Sequence, residues 1–289
     1  MHTTKSPFAA KLLTFFTRVV FWVVVCAVPI GSVTAQTSSQ TSSSHAWPNV
    51  PTGPFHWQLQ GDIKLGSDIK IVGSDAFETT ADQVRAWRDA GIFPICYVNV
   101  GAVEDWRSDR NQFPPDSIGN AYWGWPGEYW LNIRRFERFF NVILARFDLC
   151  RDKGFLAIEP DNIDAYEADE TDKETGFDLS RRDQLLYINW LIDQAHARGL
   201  AIGQKNAPDL VPELVDKMDF ALLESAYRLG FMEDFEPYAE MNKPVFAVEY
   251  LDEMEVGNDP QSLCPAAKEL GFQGVIAHLD LDRAPQNCP

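Results

Sequence analysis

Eight short apolar runs punctuate the chain, each separated from the next by a stretch of helical pattern. They are Phe55–Leu59, Ile69–Gly73, Phe93–Val100, Phe155–Glu159, Leu200–Gly203, Phe220–Glu224, Val245–Tyr250 and Gly274–Leu279. Runs that are apolar throughout, rather than alternating, belong to strands buried on both faces. Between them, Ile133 to Lys153 carries Phe136, Phe139, Phe140, Ile143, Leu144 and Phe147 on one helical stripe, with Gly154 as its stop. A second helix opens at Ser180, with Asp183 three residues on. It is expected to bury Leu186, Trp190 and Ala195 before Gly199. A third runs from Asp82 to Ala90 and closes at Gly91. Eight strand–helix alternations in roughly 240 residues fit an α/β fold of one kind, a single-domain (β/α)8 TIM barrel over residues 51–289. An open dinucleotide-binding sheet lacks support, because no Gly-x-Gly-x-x-Gly follows the first strand.

The ends of the chain set the context. Lys5, Lys11 and Arg18 precede an apolar run from Val19 to Ile30, followed by Val33-Thr34-Ala35. A basic, then apolar, then small-residue order is that of a secretory signal peptide, here residues 1–35. Residues 36–50 open with a Ser/Thr/Gln tract and read as a linker. The expected destination is extracellular, with no stable membrane association after cleavage. Loss of three basic residues would take the net charge from −17 to −20. Such acidity disfavours nucleic acid and anionic membranes and suits a cationic partner. Four cysteines would remain. Cys264 and Cys288 flank the last segment, where a disulfide would pin the tail; Cys96 and Cys150 either pair or stay buried as small hydrophobes.

In a barrel, chemistry collects where strands end. Asp75 follows the second strand and Glu104 the third; Glu159-Pro160-Asp161-Asn162-Ile163-Asp164 closes the fourth. Lys205-Asn206 closes the fifth, Glu224 the sixth, Glu249-Tyr250 the seventh and Asp280 the eighth. One acid in such a place is usually a helix cap. Acids after most strands converge on one bowl, where like charges are costly unless a cationic ligand, a metal or acid–base chemistry uses them. Aromatic residues join them: Trp106, and Tyr122 to Trp130 with Trp125, Glu128 and Trp130 in a Gly/Pro-rich stretch. Flat rings suit the C–H faces of sugars.

Carboxylates with aromatic platforms point to glycoside hydrolysis, which needs one acid for the leaving oxygen and a second as nucleophile or base. Asp161 and Glu224 end strands two apart and can face each other, with Asp161 as nucleophile or base and Glu224 as acid. Asn162, Asp164 and Lys205 can bind sugar hydroxyls or separate the acidities of the pair. His56, His196 and His278 show no metal spacing, and no metal or other cofactor is expected.

At these residues the chain resembles glycoside hydrolase family 114, over about residues 55–288. The resemblance rests on Trp57-Gln58-Leu59, Cys96-Tyr97-Val98, Gly101 to Arg107, Gly127-Glu128-Tyr129-Trp130-Leu131, Glu159 to Asp164, Thr175-Gly176-Phe177, Ala195-His196 to Gly199-Leu200, Gly203-Gln204-Lys205-Asn206, Glu224, and Val245-Phe246 to Glu249-Tyr250. It implies an endo-acting barrel that cleaves α-1,4-linked galactosamine polymers, with the family's catalytic pair at Asp161 and Glu224. It adds Tyr97 to the substrate-binding candidates, which are otherwise Asp75, Glu104, Trp106, Trp125, Glu128, Trp130, Asn162, Asp164, Lys205, Asn206, Glu249 and Tyr250. The partner would be a cationic amino-sugar polysaccharide, met by a monomer. This sequence departs from the family pattern at Leu223, Ala226 and Ala277, and in an acidic insertion from Glu167 to Glu174. A non-catalytic sugar-binding barrel and a glycosidase for another glycan are the alternatives.

Overall fold

The computed structural model describes residues 46–170, 175–253 and 262–289. The expected signal peptide and residues 36–45 of the expected linker therefore lie outside the described residues, as do residues 171–174 of the acidic insertion.

In chain order the elements are β1 (Phe55–Trp57), β2 (Ile71–Asp75), α1 (Ala81–Asp89), β3 (Phe93–Asn99), β4 (Ala102–Glu104), β5 (Ile118–Ala121), β6 (Glu128–Leu131), α2 (Phe140–Lys153), β7 (Ala157–Asp161), α3 (Ala165–Glu170), α4 (Arg181–His196), β8 (Ala201–Lys205), α5 (Val211–Leu214), β9 (Phe220–Glu224), α6 (Ala226–Leu229), α7 (Glu236–Glu240), β10 (Val245–Tyr250), α8 (Leu263–Glu269), β11 (Gln273–Ala277) and β12 (Gln286–Asn287). Strands β1, β2, β3, β7, β8, β9, β10 and β11 pair in that order, all parallel, and β12 adds antiparallel to β11. The eight parallel strands are those read from the apolar runs, and the (β/α)8 barrel expectation holds. The last seam closes through loop and side chain. Leu59 and Gln60 donate their backbone N–H to the Leu281 carbonyl at 2.9 and 3.1 Å, and Phe55 N–H donates to Asn287 Oδ1 at 2.8 Å.

Strand alternation divides the apolar residues into two layers. Phe55, Ile71, Ile95, Phe220, Leu222, Phe246, Val248 and Val275 fill the barrel interior. Cys96, Val98, Ile158, Ile202, Leu223 and Ala247 face outward onto the helices. Both cysteine pairs form: Cys264–Cys288 ties the tail to α8, and Cys96–Cys150 joins β3 to α2.

Three local expectations change. The helix read from Ile133 breaks: a 3-10 segment covers Ile133–Arg138, and α2 begins at Phe140 after a non-helical Phe139. The break shifts the stripe, so Phe140 is 36% exposed. In α4, Tyr187, Ile188, Leu191, Ile192 and Ala195 are buried, while Leu186 is 56% exposed. The run from Leu185 to Ile192 is apolar on most sides, so its pattern alone does not set the helix's rotation. Finally, residues 47–50 of the expected linker pack on the barrel. The Trp47 ring stacks on His196 at 3.5 Å, its Nε1 donates to Asp219, and Val50 is buried.

Between β3 and β7 the chain builds a small antiparallel sheet, β4–β6–β5, over the barrel mouth. Gly101 lets it approach: a Cβ there would lie 1.7 Å from the carbonyl oxygen of Asn162. Gly101→Ala must push the β7 end away. We expect a loss of roughly 3–5 kcal/mol in urea unfolding, the range of severe backbone clashes, together with loss of any activity that depends on Asp161.

Candidate active site

Strand ends at the mouth carry residues in the left-handed region: Asn162 (φ 61°), Asn206 (φ 45°) and Ser225 (φ 54°). Each directly follows the last residue of β7, β8 or β9. The turn sends the main chain sideways and leaves Asp161, Lys205 and Glu224 pointing into the bowl. Asn206 secures one of these turns, its Oδ1 accepting from the Glu224 backbone N–H at 2.8 Å.

Lys205 lies at the centre, 3% exposed as a side chain. Its Nζ sits 3.0 Å from Glu159 Oε1, 2.9 Å from Asp161 Oδ1 and 2.9 Å from Glu224 Oε2. An ammonium has three N–H donors, and here three carboxylate oxygens lie around it. Burial works against its charge. Asp161, Glu224 and Glu159 outweigh that effect and hold the ammonium well above its usual range. The second oxygens are also held. Tyr97 donates to Asp161 Oδ2 at 2.7 Å, Tyr250 donates to Glu224 Oε1, and Trp57 Nε1 donates to Glu159 Oε2 at 2.9 Å.

Above this hub opens a cavity of about 600 Å³. Asp161, Glu224, Asp75, Tyr97, Glu104, Trp106, Trp125, Glu128, Asn162, Asp164, Lys205, Asn206 and Tyr250 all border it. Two expected members do not. Trp130 is buried in the outer core, with its ring 4.5 Å from Tyr122. Glu249 is 1% exposed and faces away from the bowl, its Oε1 accepting the backbone N–H groups of Tyr227 and Arg228. The reason is alternation: Tyr250 points inward, so its neighbour on β10 points outward. Lys205 borders the bowl with its Nζ already within 3.0 Å of three carboxylate oxygens. Asp75 and Glu104 are likewise engaged, by Arg107: Asp75 at 2.9 and 2.6 Å, Glu104 at 2.7 Å. Sequence reasoning did not select Trp57, Arg107, Tyr122 or Glu159. Period-two counting back from Asp161 places Glu159 on the inner face, and counting on from Phe55 places Trp57 there; Arg107 and Tyr122 depend on the inserted sheet.

Four acids are pushed toward neutrality, among them Glu104, raised by burial against the pull of Arg107 and Arg146. Glu128 is raised to about 8, by burial first and then by Asp161 and Glu104. Glu159 is raised to about 7 by burial, against the pull of Lys205. Asp164 is raised to about 7 by burial, then by Glu167 and Asp161.

A model of glycoside hydrolase family GH114 matches residues 35–289. The chain belongs to glycoside hydrolase family 114. The family resemblance read from the motifs is thereby borne out. Among solved structures, Ega3 of Aspergillus fumigatus in complex with galactosamine is 29% identical, with a TM-score of 0.76, covering 87% of this chain and all of that one, 100%. The glycoside hydrolase domain of PelA from Pseudomonas aeruginosa shares the fold at 15% identity and a TM-score of 0.63, covering 81% of this chain and 97% of that one. A curated relative, an uncharacterized protein of Thermotoga maritima, is 29% identical over 143 residues, which is 45% of this chain. The chain spans only 44% of that relative's length.

The raised acids fix a pH dependence. Unfolded, Glu128, Glu159 and Asp164 lose their protons near pH 4; folded, they keep them to about 7 or 8. Over that window the folded state binds more protons, so stability falls as pH rises. Their contribution is complete below about pH 4 and gone above about pH 8. Thermal melting of the ligand-free protein at constant ionic strength is expected to show a lower Tm at pH 8 than at pH 5.5. Glu128→Gln should flatten that slope.

Proposed function

We propose that this chain is a secreted, endo-acting glycoside hydrolase that cleaves α-1,4-linked galactosamine-containing polysaccharide with retention of configuration. One observation carries the reading: Asp161 and Glu224 each place an oxygen 2.9 Å from the same Lys205 nitrogen, at the floor of an open bowl. Those oxygens are then no more than about 5.8 Å apart, below the roughly 6.5–9.5 Å that inverting glycosidases keep and compatible with the roughly 5–5.5 Å of retaining ones.

Asp161 is the nucleophile. Tyr97 and Lys205 fix both its oxygens, and its side chain is 18% exposed, against 27% for Glu224. Glu224, longer and more open, is the acid. Protonated from solvent, it gives that proton to the glycosidic oxygen as the C1–O bond breaks, and Asp161 closes a glycosyl ester on C1. Water then attacks C1, Glu224 takes its proton, and the ester releases Asp161. Two inversions return the starting anomeric configuration.

The lining supports a cationic polymer. Eight carboxyl groups border the bowl, against Arg107 and Lys205, and both cations are already paired. Trp106 and Trp125, 56% and 42% exposed, stand at the rim as platforms for neighbouring sugar units, and the Trp106 ring packs against Gly127. Ega3 bound to galactosamine favours the same sugar for this chain. Two disulfides suit an oxidising, extracellular setting, and residues 1–35 would serve as the export signal.

The test is incubation with partly deacetylated α-1,4-polygalactosamine, scored for new reducing ends. Asp161→Asn and Glu224→Gln are each expected to lower kcat by about 10³-fold or more while the protein still melts cooperatively. Proton NMR of the first product should show the α anomer. Wild-type rates in either variant would remove the pair, and binding without new ends would leave a sugar-binding barrel. A β product would replace retention by inversion.

A further inference from the structure

Glu128 is a buried carboxyl at the bowl that the two-step mechanism does not use and that no cation holds among the described residues. Glu128, at the start of β6, is 7% exposed. Asn99 Nδ2 donates to its Oε2 at 3.2 Å, which fixes the group's orientation. Its Oε1 meets no donor among the described residues and is not among the sealed polar atoms, so it opens into the cavity that Glu128 borders. The nearby cations are otherwise engaged: Arg107 by Asp75 and Glu104, Lys205 by Glu159, Asp161 and Glu224. Asp164, on the same wall, also has a buried oxygen, Oδ1, without a partner.

A buried carboxyl without a counter-charge is costly, and a cationic ligand removes the cost. Where that cation sits follows from the chemistry. Asp161 attacks C1, so a group beside Asp161 meets the substituent on C2. Asn99, whose amide holds Glu128, lies opposite Asp161 in the β3–β7 register, so Glu128 and Asp161 share one wall of the bowl. A C2 ammonium next to a C1 that is becoming positive would oppose the oxocarbenium-like state, and a negative group against the ammonium cancels much of that repulsion. An acetamide at C2 carries no charge to match.

We infer that Glu128 is the specificity-determining residue of the catalytic subsite, where it takes the protonated 2-amino group of the sugar in preference to an acetamide. This deepens the galactosamine reading above and rests on it. The charged and titratable groups that bear on Glu128 are Asp161 on β7, Glu104 on β4, Arg107 after β4, and Tyr97 and Tyr122 on the facing walls. In the free protein Glu128 holds its proton at acid and neutral pH, because its carboxyl is raised to about 8. An ammonium docking on it must displace that proton, so binding releases one.

Calorimetry at pH 6, where the sugar amine is already charged, in two buffers of different ionisation enthalpy, counts the proton. Galactosamine on the wild-type protein should release close to one proton per site, while N-acetylgalactosamine should bind about ten-fold more weakly with no release. Glu128→Gln keeps the side chain's shape and an oxygen for Asn99. It should abolish the release and weaken galactosamine about ten-fold, the loss typical of a buried charge-assisted bond. In cleavage assays, the kcat/KM ratio of deacetylated over acetylated oligomers should fall about ten-fold in Glu128→Gln, and equally in Glu128→Ala if the Gln variant melts abnormally. Undiminished proton release in the variant, or equal losses on both substrates, overturns the assignment while leaving the hydrolase intact. A wild-type protein that binds neither sugar overturns it outright, and one that also cleaves neither polymer overturns the hydrolase as well.

Discussion

The arrangement of the bowl depends on one ammonium group. Asp161, Glu224 and Glu159 lie within hydrogen-bonding reach of a common point, where three negative charges would repel strongly in a low-dielectric floor. Lys205 makes that convergence possible. Its Nζ hydrogen-bonds Glu159 and pairs with one oxygen each of Asp161 and Glu224, and Tyr97, Tyr250 and Trp57 hold the other oxygens. Asp161 and Glu224 are thus held at a set separation by one shared ammonium. Removing the ammonium would leave uncompensated buried charge rather than merely one contact fewer.

The outer wall follows a different logic. Arg107 clamps Asp75 from β2 and Glu104 from β4, and Arg146 below it donates to both oxygens of Asp109 and to the Asn99 carbonyl. These ion pairs fasten the inserted β4–β6–β5 sheet to the barrel rim. The sheet in turn presents Glu128 and the loop bearing Tyr122 and Trp125. Acids that look alike in the sequence therefore divide by partner. Those on the rim are held by arginines, those on the floor by one lysine, and Glu128 faces the cavity with one oxygen that meets no donor among the described residues.

Much of this was legible in the chain. Apolar runs gave the eight strands because a strand covered on both faces has no polar positions to interrupt it. Strand-end placement drew attention to Asp161, Lys205 and Glu224, because barrel closure brings all C-terminal strand ends to one mouth. Alternation, applied strictly, would also have excluded Glu249 once Tyr250 faced inward. The α4 rotation was not legible, since Leu186 and Tyr187 are both greasy and only the neighbouring surface chooses between them; Tyr187 wins by packing among Phe136, Phe139 and Trp190 and by donating to the Val100 carbonyl.

The sequence by itself determined the eight parallel barrel strands and their order, the acidic mouth and the family, because each depends on residue type and spacing along one chain. Tertiary structure alone decided which acids are free. Whether a carboxylate is sealed by an arginine, shared through a lysine or left facing the cavity depends on groups brought together from distant parts of the chain: Lys205 is separated by 46 residues from Glu159, and Arg107 by 32 from Asp75. Charge interactions act through space, so their outcome is fixed only when the barrel closes.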